Sequence, residues 1–337
     1  MKRMLFYLFI WSNIFADTLS IIMVGDIMMG TTYPEKRLPP SDGKYIFKNV
    51  IDILKNADLT LGNLEGPLTE SRSCSKKIEK GKVYAFRTPT RYAYYLKDAG
   101  FDFVNLNNNH IYDFGEEGLE STINILKSLD IQYGTCDEYG KFNIKNISIC
   151  ILSFSFGRCE NSILNIERAT KIVAEKKREY GIVIVSFHGG GEGIDYLHLK
   201  DTMEYYLGEK RGNLIKFSHA VIDSGADLVW GHGPHVPRAI EVYKNRLIAY
   251  SLGNFFTYGF NIEGVSGYAP ILKVYMDFEG NFLGGEIISA IQRSDGVLEL
   301  DTLNQSANLI KSLSFEDFPL TSPLITSDGK IIIRNSR

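Results

Sequence analysis

The sequence predicts an α/β protein with helices packed over mixed sheets, and three observations lead there. Short apolar runs alternate with amphipathic helical stretches through the first two-thirds of the chain, the rhythm of strands joined by helical crossovers. Paired apolar runs around short polar turns follow, the rhythm of hairpins. Four of the six histidines fall where an apolar run gives way to small and polar residues, where parallel strands deliver side chains to one sheet edge.

Ser20 to Val24 reads as a buried strand ending at Gly25-Asp26. Tyr45 to Lys55 reads as a helix, and Leu59 to Leu64 as a strand ending at Glu65. Arg91 to Asp98 is helical with Gly100 as its stop, and Phe101 to Leu106 is the next strand. In Glu116 to Leu129, four aliphatic residues recur at helical spacing, and two glutamates occupy the first turn, where the helix dipole favours negative charge. Ile144 to Phe154 and Ile182 to Phe187 are strands on either side of a strongly charged helix, Arg168 to Tyr180. Thr202 to Ser224 reads as one long helix and Leu228 to Trp230 as a strand. Ala239 to Tyr243 with Leu247 to Ser251 is a hairpin around Lys244-Asn245, and Ile271 to Phe278 with Phe282 to Ile291 is another. A helix from about Asp301 to Leu313 and a small Ile325 to Ile333 hairpin close the chain. The expected organisation is a leader over 1–16, a main domain over 17–293 and a helix-and-hairpin extension over 294–337.

The net charge of −3 gives no electrostatic reason to expect a nucleic-acid partner. Lys2 and Arg3 followed by an apolar stretch and Ala16 have the form of a secretory signal, too short to span a bilayer comfortably. Ile14 is large for a residue two before a cleavage point, so an uncleaved anchor is the alternative, and either makes the protein extracytoplasmic, periplasmic or at the cell surface. The four cysteines form no C-x-x-C pair, which argues against a zinc ribbon. Cys150 lies in an apolar run and reads as core, while one disulfide among Cys74, Cys136 and Cys159 is compatible with export.

The strand ends carry the chemistry. Asp26 and Glu65 follow apolar runs directly, and Asn63 and Glu65, two apart on extended chain, point to one side. A ligand shared by two cations should be a carboxylate, which favours Glu65 for that place. Asn109-His110 follows the Phe101 strand, with Asp113 three residues on to fix the imidazole tautomer. His188 precedes three glycines that remove bulk beside it, and Glu192 lies in the same loop. His232 and His235, three apart on a Gly-Pro turn, can face one cavity, whereas His198 and His219 lie among charged neighbours and read as surface residues. The ligands exceed what one zinc needs, so two divalent cations are expected, the arrangement that polarises a phosphoryl group. The lysines Lys76, Lys77, Lys80 and Lys82 read as a solvated loop.

These motifs, together with Gly62-Asn63-Leu64-Glu65-Gly66-Pro67, Asp113-Phe114-Gly115 and Ser251-Leu252-Gly253-Asn254-Phe255, occur in an order that resembles the CapA family of poly-γ-glutamate capsule biosynthesis proteins. That family is a branch of the calcineurin-like metallophosphoesterases. The resemblance implies a four-layer α/β/β/α sandwich with mixed sheets and a dinuclear centre of Mn, Fe or Zn. It implies Asp26, Glu65 and His235 at one metal, and Glu65, Asn109, His188 and His232 at the other. His110, supported by Asp113, would be the catalytic proton donor, and Asn63, Glu192 and Asn254 would line or brace the pocket. Met28 stands where the wider superfamily carries a histidine, and Asn63 where it carries an aspartate. The expected activity is metal-dependent hydrolysis of a phosphoester, or of a γ-glutamyl amide, in capsule or envelope-polymer synthesis, alongside synthesis or export machinery. The alternative is a non-catalytic, metal-dependent module that holds an anionic polymer.

Overall fold

The computed structural model describes residues 18–78, 84–157 and 159–334, so the expected leader lies outside the described residues. The strands in chain order are β1 (Leu19–Met28), β2 (Leu59–Leu64), β3 (Phe103–Asn105), β4 (Gln132–Gly134), β5 (Gly140–Ile144), β6 (Ile147–Ser155) and β7 (Ile182–His188). They continue as β8 (Glu204–Tyr206), β9 (Glu209–Gly212), β10 (Leu228–His232), β11 (Ile240–Tyr243), β12 (Arg246–Ala249) and β13 (Asn254–Thr257). The last are β14 (Ile271–Met276), β15 (Phe282–Ile288), β16 (Ala290–Gln292), β17 (Leu298–Leu300), β18 (Leu324–Ile325) and β19 (Lys330–Ile332). The α-helices are α1 (Ile51–Leu54), α2 (Ala93–Asp98), α3 (Gly115–Ser128), α4 (Ile166–Glu179), α5 (Leu214–Asp223) and α6 (Gln305–Asp317).

Two sheets carry the architecture. A nine-stranded sheet runs β18-β19-β15-β14-β1-β2-β3-β4, with β13 also paired to β1. A six-stranded sheet runs β11-β12-β10-β7-β6-β5. The strands β1 to β4 pair in parallel, as do β6, β7, β10 and β12, while hairpin partners supply the antiparallel edges.

Alternation along β1 explains the layering. Ile21 and Met23 point into a core shared with Ile149, Ile184, Leu228 and Trp230 of the other sheet. Ile22 and Val24 point the opposite way, into a core with Leu54, Leu96 and Leu126 from α1, α2 and α3. The outer face of the six-stranded sheet packs Val183 and Val229 against Val173 of α4 and Phe217 of α5. The result is the α/β/β/α order of layers. The Trp230 indole N–H donates to the Val24 carbonyl at 3.0 Å, pinning one sheet to the other near the ends that matter.

Two helix expectations need correction. Ile46, Phe47, Val50 and Leu54 are buried at the expected spacing, yet residues 44–50 wind through i→i+3 turns, and regular helix is confined to α1. The long helix over 202–224 is instead a β8–β9 hairpin followed by α5. Leu207 and Gly208 both take left-handed backbone at the turn, and the Asn213 side chain accepts from the Lys216 N–H to start α5 afresh. The segment after residue 293 adds β18 and β19 to the edge of the large sheet, and Ala307, Ile310 and Ile331 enter the core between the sheets. A disulfide joins Cys136 and Cys159, while Cys74 and Cys150 are free. Among the described residues no helix is long and apolar enough to cross a membrane.

Candidate metal centre

Parallel strands place their carboxyl ends at one edge, and here both sheets present that edge to the same cavity. Asp26 lies near the end of β1, where Gly25 permits close approach of the 253 backbone: a Cβ there would overlap the Gly253 carbonyl, which accepts from the Asp26 N–H at 2.8 Å. Glu65 follows β2 immediately. His188 and His232 end β7 and β10 and lie directly opposite each other in the register. His235 sits at the turn that follows, held at φ +59°, a left-handed conformation rare for a residue with a side chain.

Two sets of ligand atoms each gather within 4.8 Å: Asp26 with His188 and His232, and Asp26 with Glu65 and His235. The carboxylate common to both sets is therefore Asp26, where the sequence reading gave the shared place to Glu65. Asp26 Oδ2 stands 3.0 Å from His235 Nδ1 and Asp26 Oδ1 stands 3.9 Å from His232 Nδ1. His188 Nδ1 and His232 Nδ1 face each other at 3.1 Å, and Glu65 Oε1 lies 3.7 Å from His235 Nε2.

The surroundings fix these groups. Asn63 donates to Asp26 Oδ1 at 2.8 Å, and Asn63 Oδ1 in turn accepts from Asn105 at 2.7 Å and Asn108 at 3.2 Å. This amide relay takes in Asn108 of the asparagine run, while Asn107 instead donates to the Ser153 carbonyl at 3.1 Å. Ser186 Oγ bonds His232 Nε2 at 2.9 Å, Asn254 Oδ1 meets His235 Nδ1 at 2.9 Å, and Arg211 donates to Glu192 at 2.8 Å. His110 Nδ1 lies 2.9 Å from Asp113 Oδ2, which also accepts from the Phe86 N–H at 2.7 Å. Lys76, read as a solvated loop lysine, instead pairs with Asp113 and donates to the Asn109 carbonyl at 3.1 Å. His219 is half-buried, stacked on Tyr243 at 3.9 Å and bonded to Glu241, and belongs to neither set. His198 is exposed beside Asp317.

Burial and mutual charge set the protonation of these groups. Burial pushes Glu65 up to about 8, against the pull of His235. Burial opposes the charge on His235 too, but Glu65 and Asp26 outweigh it and hold His235 well above the usual imidazole value. Asp26 resists its own burial through the bond and charge of His235 and stays below its ordinary value. His188 and His232 are driven well below theirs, by burial first and then by neighbouring imidazoles, leaving both neutral with free electron pairs. Burial also lowers His110, with Asp113 resisting.

The fit to a metal rests on atoms that nothing else satisfies. Both Glu65 carboxylate oxygens, His188 Nε2 and Asn109 Oδ1 are enclosed and make no hydrogen bond. Buried polar atoms are seldom left so. Carboxylate, imidazole and amide donors together suit Mn, Fe or Zn. Asp26, Glu65, His188, His232 and His235, with Asn109 Oδ1 as the amide donor, would hold the cations.

The chain has relatives among known proteins. Capsule biosynthesis protein CapA of Bacillus anthracis is 30% identical over 261 residues, 71% of this chain and 60% of that one. The PGA biosynthesis protein CapA of Bacillus subtilis is 31% identical over 257 residues, 71% of this chain and 63% of that one. The chain thus spans under two thirds of the length of these relatives. Among solved structures, the 5'-nucleotidase precursor of Thermus thermophilus aligns over 90% of this chain and 59% of its own, at 13% identity and a TM-score of 0.46. The profile of the bacterial capsule synthesis proteins matches residues 20–258, every strand end described above included, and the chain belongs to that family, PGA_cap.

Proposed function

We propose that the protein is an exported, metal-dependent hydrolase of phosphoester or γ-glutamyl amide bonds, acting in the synthesis of capsule or another cell-envelope polymer. One observation carries the reading: buried Glu65 oxygens and His188 Nε2 without partners, beside a carboxylate shared by two ligand sets. Divalent cations held there supply Lewis acidity toward an anionic oxygen and toward water. The protein's own groups do the rest. Asn63 fixes the Asp26 carboxylate and Ser186 fixes the His232 ring. Asp113 accepts a hydrogen bond from His110 Nδ1–H, which leaves Nε2 to exchange a proton with a leaving group. The names of the relatives support an anionic polymer as the process served, with synthesis or export machinery as partners. The disulfide between Cys136 and Cys159 supports an oxidising, extracytoplasmic location.

Elemental analysis of protein purified without chelator tests the centre. We expect bound divalent metal in the wild type and its loss in the His188→Ala/His232→Ala double variant. Absence of metal from folded wild type, or failure of the Mn, Fe and Zn forms to cleave any phosphate ester or polyglutamate, would overturn the hydrolase reading. A second reading has its own support in Met28, which supplies a buried thioether where the superfamily has a ligand. On that reading the site binds an anionic polymer without cleaving it, and chelation releases the polymer.

A further inference from the structure

Beside the metal centre lies a groove of about 270 Å³ that neither the fold nor the ligand sets require. Its floor and walls include Met28, Tyr33, Phe86, Tyr258 and Phe260, with Tyr84 at the rim. Two of these residues belong to both spaces. Phe86 packs on the His110 ring at 4.4 Å, Phe260 lies over the His235 ring at 6.0 Å, and the two phenyl rings meet edge to face at 5.1 Å. The groove therefore begins where the ligand sets end. Met28 is two residues past Asp26 on the same strand, so the position that would carry a histidine in the wider superfamily here gives the groove an apolar surface.

The charge of the lining narrows the occupant. Among the described residues of its lining, the two charged ones, Arg37 and Glu35, pair with each other at 3.2 Å on the exposed rim, and the rest are aromatic, apolar or small. Tyrosine and phenylalanine faces favour a flat or ring-bearing group, which stacks on them and tolerates polar edges near the tyrosine hydroxyls. We propose that this groove is the subsite for a ring-bearing organic group esterified to the phosphate that the metal centre receives. The substrate class is then a phosphoester with a ring on one side. This deepens the hydrolase reading and rests on it.

Phenylphosphonate and methylphosphonate carry the same anionic head and no ester bond, and differ in the ring alone. Calorimetric titration of the metal-loaded full chain should show phenylphosphonate binding about tenfold tighter. Tyr33→Ser and Tyr258→Ser should each remove most of that preference. In wild type, with no substitution to disturb folding, phenylphosphonate should move the Met28 methyl resonance by ring current, and methylphosphonate should not. Equal affinity for the two probes, an unmoved Met28 signal, or a preference that survives both substitutions overturns the groove assignment and leaves the metal centre standing. Binding of neither probe overturns both.

Discussion

Glu65 makes the sharpest test of the site in metal-free protein. Its carboxyl is enclosed, its oxygens lack hydrogen bonds, and burial raises its value from 4.5 to about 8. At pH 7 the chelated folded protein therefore holds a proton there that the unfolded chain releases. Taking up that proton costs about 3 kcal/mol, at about 1.4 kcal/mol for each pH unit between the free value and the working pH. The sign follows from proton counting: the folded state binds more protons between about 4.5 and 8, so stability falls as pH rises through that window. Replacement by glutamine keeps the shape and removes the ionisation. Urea unfolding in chelator should show Glu65→Gln more stable than wild type by up to about 3 kcal/mol at pH 7, with the gap closing toward pH 5. With divalent metal in excess the order should reverse, because only the carboxylate holds the ion. A gap that is absent, or that widens as pH falls, would refute the account of Glu65 as an unsatisfied ligand.

Other outcomes follow from the same geometry. Because Asp26 belongs to both ligand sets, Asp26→Ala should empty the protein of metal, while His235→Ala should leave roughly half, measured by mass spectrometry of the elements. Arg238 is fully buried and clasps Glu204 through two bonds of 2.9 and 3.0 Å, so Arg238→Met should cost about 3–5 kcal/mol in urea unfolding by stranding that carboxylate. Cys136→Ser should cost about 3 kcal/mol, since the disulfide closes a separation of 23 residues, and no loss should appear when wild type is compared in reductant. Glu241 is buried, but bonds from His219, Thr321 and Tyr250 hold it below its usual value. It should stabilise the fold above that value and cease to do so as acid titrates it, making Glu241→Gln less sensitive to acid than wild type.

Much of this was readable from residue order because buried parallel strands announce themselves. Ser20 to Val24, Leu59 to Leu64 and Ile182 to Phe187 are mostly apolar and buried along nearly their whole length, and their ends mark the site without any three-dimensional information. The stretch over 202–224 misled because its second half, with Leu214, Phe217 and Val221, does carry helical spacing, and Gly208 and Asn213 betray the hairpin and the restart. The sharing of Asp26 was hidden for another reason. It depends on how two sheets stack, which is a matter of the core between Met23 and Trp230 and not of any local spacing. Lys76 eluded the reading likewise, since a loop lysine looks the same in sequence whether it meets solvent or Asp113.

The indole of Trp230 reaching the Val24 carbonyl has a consequence for how the protein would acquire the proposed ions. Asp26 and Glu65 come from one sheet, His188 and His232 from the other, and the last donor arrives only at residue 235. Among the described residues, each candidate ligand set draws on both sheets. On the proposed function, loading would await a chain grown past residue 235, and each ion captured would then rivet the two sheets face to face, so scarcity of metal would be felt as loosened architecture before it was felt as lost chemistry.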